Sequence, residues 1–269
     1  MIIKNLKIFN FKNHSEKSFD FSPEINCFVG NNGAGKTNIL DALHYLSMAK
    51  SFLGNLDAQN ILHDSDFFAI EAEIQGEEKN DIIKVQLPKE GKKIIKKNDK
   101  TYERIADHIG FLPSVMISPY DANLISDGSE SRRKFLDAMI SQTDSDYLFA
   151  LIQYQKTLQQ RNALLKYFAK NRTFDLDSLE IYNDPLNKFG TQIFEKRQRF
   201  VASILPTIQH FYEIISKGNE KVTVIYESNL NEQNFEEILS ENLEKDRVLT
   251  YTSRGIHKDD LLFVMNENL

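Results

Sequence analysis

The chain has 269 residues, with 33 Lys and Arg against 39 Asp and Glu, for a formal net charge of −6. That balance excludes a polycation that coats nucleic acid through overall charge, so any DNA contact must come from local basic faces. A single cysteine, Cys27, excludes an intrachain disulfide framework; Lys4, Asn5 and Lys7 break the apolar N-terminal stretch and no later run is long enough to cross a bilayer. The expectation is a cytoplasmic globular protein with no membrane partner, in two domains or in one carrying a large insertion.

Ile2 to Phe11 is rich in Ile, Leu and Phe with lysines between them, and is expected to pair with Ser18 to Phe21 across a turn at His14-Ser15-Glu16-Lys17. Ile25 to Val29 is a continuous apolar run of the kind that forms a strand buried on both faces, with Cys27 as a small hydrophobe inside it. It leads into Gly30-Asn31-Asn32-Gly33-Ala34-Gly35-Lys36-Thr37, which matches G-x-x-x-x-G-K-[ST]. Glycines at 30, 33 and 35 open backbone conformations closed to other residues and let N–H groups turn inward around an anion at a helix N-terminus. A triphosphate suits that cradle. ATP is therefore the expected cofactor, with Lys36 on the β- and γ-phosphates, the Thr37 hydroxyl on Mg²⁺, and Asn38 ending the binding segment. Lys12 and Asn13, at the end of the first strand, either line the nucleotide or form a plain turn.

Ile39, Leu43 and Leu46 recur at helical spacing, so an amphipathic helix is expected through about Lys50. Phe68 to Ile74, Ile83 to Leu87 and Lys92 to Lys97 then read as an antiparallel meander ending at Asn98-Asp99. From Lys84 to Arg104 eight basic residues stand against Glu90, Asp99 and Glu103. Lys92, Lys93, Lys96 and Lys97 are candidates for DNA contact, the alternative being lysines that guard a sheet edge. Leu112 to Ile117 is a further apolar strand, closed by Ser118-Pro119.

Beyond Pro119 the pattern is helical. Asp144 to Asp146 offers an N-cap for a long amphipathic helix carrying Leu148, Leu151, Leu158, Leu165 and Phe168, and ending near Asn171. No acidic residue falls between Asp146 and Asp175, which makes Arg161 on that helix a further candidate for DNA contact, and Arg132 and Arg133 before it are candidates for positioning the helical lobe or for DNA contact. Each has the alternative of a packed or solvated helix face. A second helix is expected from Asp184-Pro185, with Pro206 as a kink or stop and Gly218 as its close. Val222 to Tyr226 resumes a strand, Phe235, Ile238 and Leu239 lie in an acidic helix, and Leu261 to Val264 is a last apolar piece. His257 with Asp259 and Asp260 reads as a structural turn rather than a metal cluster.

Ile2 to Phe11, Asn31 to Ala42, Ser118-Pro119 followed by Arg132-Arg133-Lys134-Phe135-Leu136-Asp137, Gln160-Arg161-Asn162-Ala163-Leu164-Leu165, and Gly255-Ile256-His257-Lys258-Asp259-Asp260-Leu261 occur in that order. Together they resemble the RecF family of bacterial recombination mediators, whose ATPase heads are related to SMC-type and ABC ATPases, and the resemblance covers essentially the whole chain. Leu53, Ser129 and Ile256 depart from its pattern. It implies an α/β fold: a P-loop ABC-type ATPase head, a mixed sheet with an antiparallel meander, and an inserted helical lobe. The expected division is 1–119 and 219–269 for the head and 120–218 for the lobe. The resemblance further implies an ATP-dependent homodimer, single-stranded, gapped or junction DNA as ligand, RecO- and RecR-type partners, recombinase loading and support of the SOS response. A Ser-Gln-Gly-Gln type signature and the acidic Walker B strand are not found before Leu269, and Glu227 is a poor substitute. The chain is thus expected to be a piece of a weak DNA-stimulated ATPase, with no catalytic residue assignable. The alternative is a nucleotide-binding fragment or SMC-like head that binds without turnover.

Overall fold

The computed structural model describes residues 1–54 and 56–265, which divide into two compact units after Ser118. In the first, β1 (Ile2–Phe11), β2 (His14–Asp20), β3 (Phe67–Gln75), β4 (Asn80–Pro88), β5 (Ile94–Lys97) and β6 (Lys100–Thr101) form a sheet in the order β2-β1-β3-β4-β5-β6. The register sets Leu6 opposite Ala72, Ile8 opposite Ile70, and Ile70 opposite Val85, so one face is continuously apolar. Helix α1 (Lys36–Met48) covers that face with Ile39, Ala42, Tyr45 and Leu46. Each such large aliphatic side chain contributes about 1.5–3 kcal/mol by leaving water. Phe11, Tyr45 and Phe68 meet edge to face, with ring centroids 5.2, 5.3 and 5.9 Å apart. This places the N-terminus of α1 beside the turn between β1 and β2.

Three expectations are corrected here. Every strand pairing among the described residues is antiparallel, so the sheet is not mixed. Ile25 to Val29 is not a strand; Ile25 and Val29 are 82% and 90% exposed, and Cys27 is exposed as well. Leu112 to Ile117 is likewise not a strand, with Leu112 alone in the core and Ile117 82% exposed. An apolar run becomes a buried strand only when neighbours satisfy both edges of its backbone, and no described strand is paired with either run. The first turn also falls earlier than expected, at Lys12 and Asn13, since β2 starts at His14.

The second unit contains α2 (Asn123–Ser126), α3 (Ser129–Ser141), α4 (Ser145–Asn171), α5 (Leu176–Glu180), α6 (Asn183–Ser216), β7 (Val222–Glu227), α7 (Phe235–Glu241), α8 (Leu243–Leu249) and β8 (Asp260–Met265). Asp144 caps α4, accepting from the Tyr147 N–H at 2.9 Å, and Lys196 of α6 donates to the same carboxylate at 2.7 Å. Pro206 lies inside α6, which continues to Ser216. The missing N–H forfeits one bond to the carbonyl of Ala202, an exposed residue on the solvent side of the helix. Gly190 lets α6 approach α7: a Cβ there would stand 2.4 Å from Phe235 Cε2. Tyr147 and Tyr154 of α4, Leu186 and Ile193 of α6, Val224 of β7, Phe235 of α7 and Leu261 of β8 share one core. The expected break at 218/219 is therefore absent, because β7 and β8 are packed on the helices.

Candidate functional site

Gly33 and Gly35 have φ of 82° and 89°, the left-handed region that favours glycine, and they fold residues 30–37 into a loop at the start of α1. Within it the Ala34 N–H donates to the Asn31 carbonyl at 3.2 Å. Lys36 Nζ curls back to the carbonyls of Gly30 and Asn31 at 2.8 and 2.9 Å. The N–H groups of Gly33, Gly35, Lys36 and Thr37 have no carbonyl acceptor among the described residues. Four unpaired donors, the positive end of a 13-residue helix and one ammonium make a cradle for an anion. The Thr37 side chain is exposed at the first turn of α1 and supplies the loop's hydroxyl oxygen, a donor type that suits Mg²⁺. These residues fit a magnesium-bound triphosphate.

The turn after β1 supports the loop from behind. Asn13 Nδ2 donates to the Gly33 carbonyl at 3.1 Å, and Asn13 Oδ1 accepts from Asn38 Nδ2 at 2.8 Å. His14, only 5% exposed, sets Nε2 3.1 Å from the Gly35 carbonyl. Lys12 is engaged elsewhere, 2.5 Å from Asp41, whose carboxylate also takes the Ser51 hydroxyl at 2.8 Å and the Phe52 N–H at 2.6 Å. Asn13 thus touches the loop, while the Lys12 amine belongs to a buried ion pair.

The candidate DNA-binding residues separate by exposure. Lys92 is exposed, and the half-buried Lys96 stands opposite Lys84 in the β4–β5 register. Lys93 is drawn inward, 2.7 Å from Asp57 and over the ring of Tyr45. Lys97 pairs with Asp81 at 3.0 Å and lies 3.8 Å from the ring centroid of Phe111, and its attraction holds the Asp81 carboxyl below its ordinary range.

In the second unit Arg132 makes a forked pair with Asp260 at 2.6 and 2.9 Å, and Arg133 donates to the Asp259 carbonyl at 2.6 Å. Arg161 has no exposed surface; it donates to Asp246 and to the Thr252 hydroxyl, each at 2.7 Å. A phosphate cannot reach it, so an internal ion pair replaces the expected DNA contact at this position. The charge of Arg132 is likewise taken up within the fold. His257 accepts from the Tyr154 hydroxyl at Nδ1 and donates from Nε2 to the Thr252 carbonyl, a structural role. Glu227, at the exposed end of β7, stands opposite Asp260.

Arg197 falls among the basic residues off the apolar stripe of its helix in the sequence pattern, yet it points inward. It is 1% exposed and bonds Asp137 at 2.7 Å, the Ile256 carbonyl at 2.9 Å and Asp259 at 3.3 Å. A cation on a helix otherwise rich in exposed charge carries no local sign that it turns inward. The supporting role of His14 was also missed; its one signal is position, next to a strand end beside the phosphate loop.

Loop, helix and apolar sheet face define the head of a P-loop ATPase. The family described as an AAA domain matches residues 5–261. The chain is 52% identical over 268 residues to the DNA replication and repair protein RecF of Flavobacterium johnsoniae, spanning all of this chain and 75% of that relative. It is 44% identical to the protein of the same name from Phocaeicola vulgatus, over 99% of this chain and 71% of the relative. Among solved structures, that of the recombination mediator protein RecF-ATPrS in the RecFOR pathway superposes with a TM-score of 0.92 at 30% identity, over 98% of this chain and 73% of the other. The chain belongs to the RecF family. No described helix is long and apolar enough to cross a membrane.

Proposed function

We propose that residues 30–38 bind ATP with Mg²⁺, and that the protein works in the cytoplasm as a nucleotide-controlled, DNA-binding switch in replication and recombinational repair. The observation that carries this is the loop: four N–H groups without a carbonyl acceptor and the Lys36 ammonium lie together at the start of α1 in a chain so similar to RecF proteins. A solved relative at 30% identity is a RecF-ATP structure, which supports the choice of nucleotide. ATP favours a closed pair of copies over separate ones, and only its differential affinity for the two states moves that equilibrium. DNA at single-strand gaps and junctions is held through phosphate contacts, independent of sequence and sensitive to salt. RecO- and RecR-type partners, recombinase loading and support of the SOS response complete the reading. In this scheme Thr37 would supply an oxygen to Mg²⁺, which would offset phosphate charge, and the Lys36 ammonium would hold phosphate oxygens.

One observation favours a second reading, binding without turnover. Asp41, the acidic residue nearest the loop in sequence, has its carboxylate taken by Lys12, Ser51 and Phe52, so it does not serve as the water-orienting acid.

Fluorescence anisotropy of labelled gapped DNA, titrated with the chain at several salt concentrations with and without Mg²⁺-ATP, tests the switch. ATP-dependent, salt-sensitive binding lost in Lys36→Ala supports it. Binding indifferent to ATP and to that substitution would overturn it and leave the binding-module reading.

A further inference from the structure

The phosphate loop is held by two peptide planes whose carbonyls point away from the cradle, toward the β1–β2 turn. The Gly33 carbonyl accepts from Asn13 Nδ2 at 3.1 Å, while the N–H of the same peptide, that of Ala34, closes the loop on Asn31 at 3.2 Å. The Gly35 carbonyl faces His14 Nε2 at 3.1 Å and also receives the N–H groups of Asn38 and Ile39 at 2.9 and 3.1 Å. A carbonyl only accepts, so His14 must carry its proton on Nε2. In a planar trans peptide the C=O and N–H point in opposite directions. Anchoring the Gly35 carbonyl on His14 therefore turns the Lys36 N–H away from the turn, and that N–H is one of the four with no acceptor.

The two side chains also fill the space behind the loop. A Cβ at position 35 would lie 2.5 Å from both Asn13 Oδ1 and His14 Nε2. Glycine at 35 is thus required by the support as well as by its backbone angle. The support is itself fixed: Lys12 and Phe11 are tied through the Lys12 N–H to the Asn60 carbonyl at 2.7 Å and the Phe11–Ile61 bridge, and His14 is 5% exposed.

We propose that Asn13 and His14 are positioning residues for the phosphate site: they orient the Gly33 and Gly35 peptides so that the Lys36 N–H meets a phosphate oxygen. They touch no nucleotide and act through the loop. This rests on the reading of residues 30–38 as an ATP site. The obligation falls on preorganisation, because a loop that must order itself on binding loses affinity by the free energy of that ordering.

The test is calorimetric titration of the full chain with Mg²⁺-ATP, in the wild type and in Asn13→Ala, His14→Ala and His14→Gln. Each variant is paired with a nucleotide-free melting curve, and the Lys36 amide resonance is followed by NMR. Losing one anchoring hydrogen bond should weaken ATP about tenfold. Gln keeps an N–H donor at a similar reach and should recover most of the affinity, together with the downfield shift of the Lys36 amide that His14→Ala loses. A wild type that binds ATP beside alanine variants of equal affinity would overturn the positioning role alone. So would a His14→Gln chain that melts like the wild type yet binds as weakly as His14→Ala. A wild type that binds no ATP would instead remove the nucleotide reading on which the role depends.

Discussion

Arg161 donates to Asp246 across 2.7 Å in the interior of the second unit, joining the long helix α4 to α8, with both side chains essentially without exposed surface. Two charges removed from water hold each other in place, and the remaining Asp246 oxygen takes the Ser253 N–H and hydroxyl at 2.8 and 2.7 Å. Removing one partner strands the other. Arg161→Ala is expected to destabilise the second unit by about 3–5 kcal/mol, and Arg161→Ala with Asp246→Ala by less than the sum of the single changes. Urea denaturation of the three variants measures both numbers. A small effect of Arg161→Ala would return this arginine to the surface.

The buried cluster around Gly255–Asp260 makes an opposed pair of pH effects. Burial drives the His257 pKa down to about 4 from its ordinary 6.5, and burial raises that of Asp259 to about 6 from 3.8. Arg197 offsets the Asp259 shift only in part, since its shorter bonds go to Asp137. Between pH 4 and 6.5 the unfolded state holds more protons at His257, so that residue makes stability rise with pH. Between about 3.8 and 6 the folded state holds more at Asp259, so that residue makes stability fall with pH. The two slopes, each at most about 1.4 kcal/mol per pH unit, oppose each other. His257→Gln should therefore leave the Asp259 slope alone and make stability fall from pH 4 to 6, and Asp259→Asn should leave the His257 slope alone and make it rise. Urea midpoints across that range decide; equal pH profiles in the two variants would contradict these assignments.

The basic hairpin also divides into two kinds of lysine. Lys92→Glu with Lys96→Glu is expected to leave the fold intact, to lower DNA affinity and to flatten its dependence on salt. Lys93→Ala removes an amine that holds Asp57 and the Ala49 carbonyl against the Tyr45 ring, and is expected to lower the melting temperature instead. Anisotropy titrations beside melting curves separate the outcomes. A loss of DNA affinity confined to Lys93→Ala would reverse the division.

Local signals carried much of this structure, and non-local ones did not. The spacing of Gly30, Gly33, Gly35, Lys36 and Thr37 is a local pattern because a phosphate loop makes its cradle from consecutive peptides, so its place at the start of α1 was readable. The alternation through Phe68 to Ile74 and Ile83 to Leu87 was readable for the same reason. Ile25 to Val29 has the composition of a buried strand, but burial depends on a partner that the run does not encode, and Val29 is 90% exposed. Arg161 looked like its basic neighbours because what distinguishes it is Asp246, 85 residues away. His14 carries the local signal of a turn residue only, because its partner, the Gly35 carbonyl, lies 21 residues away.

The most direct test of the phosphate loop is calorimetric titration of Mg²⁺-ATP into the chain and into Lys36→Ala, with melting curves to show that both are folded. Lys36 donates to the Gly30 and Asn31 carbonyls of the loop at 2.8 and 2.9 Å, and its loss removes the cradle's one ammonium. Saturable binding by the wild type, weakened at least tenfold in the variant, is the predicted result. Equal affinity in the two, or no binding by a folded wild type, would contradict the assignment of residues 30–38 to ATP.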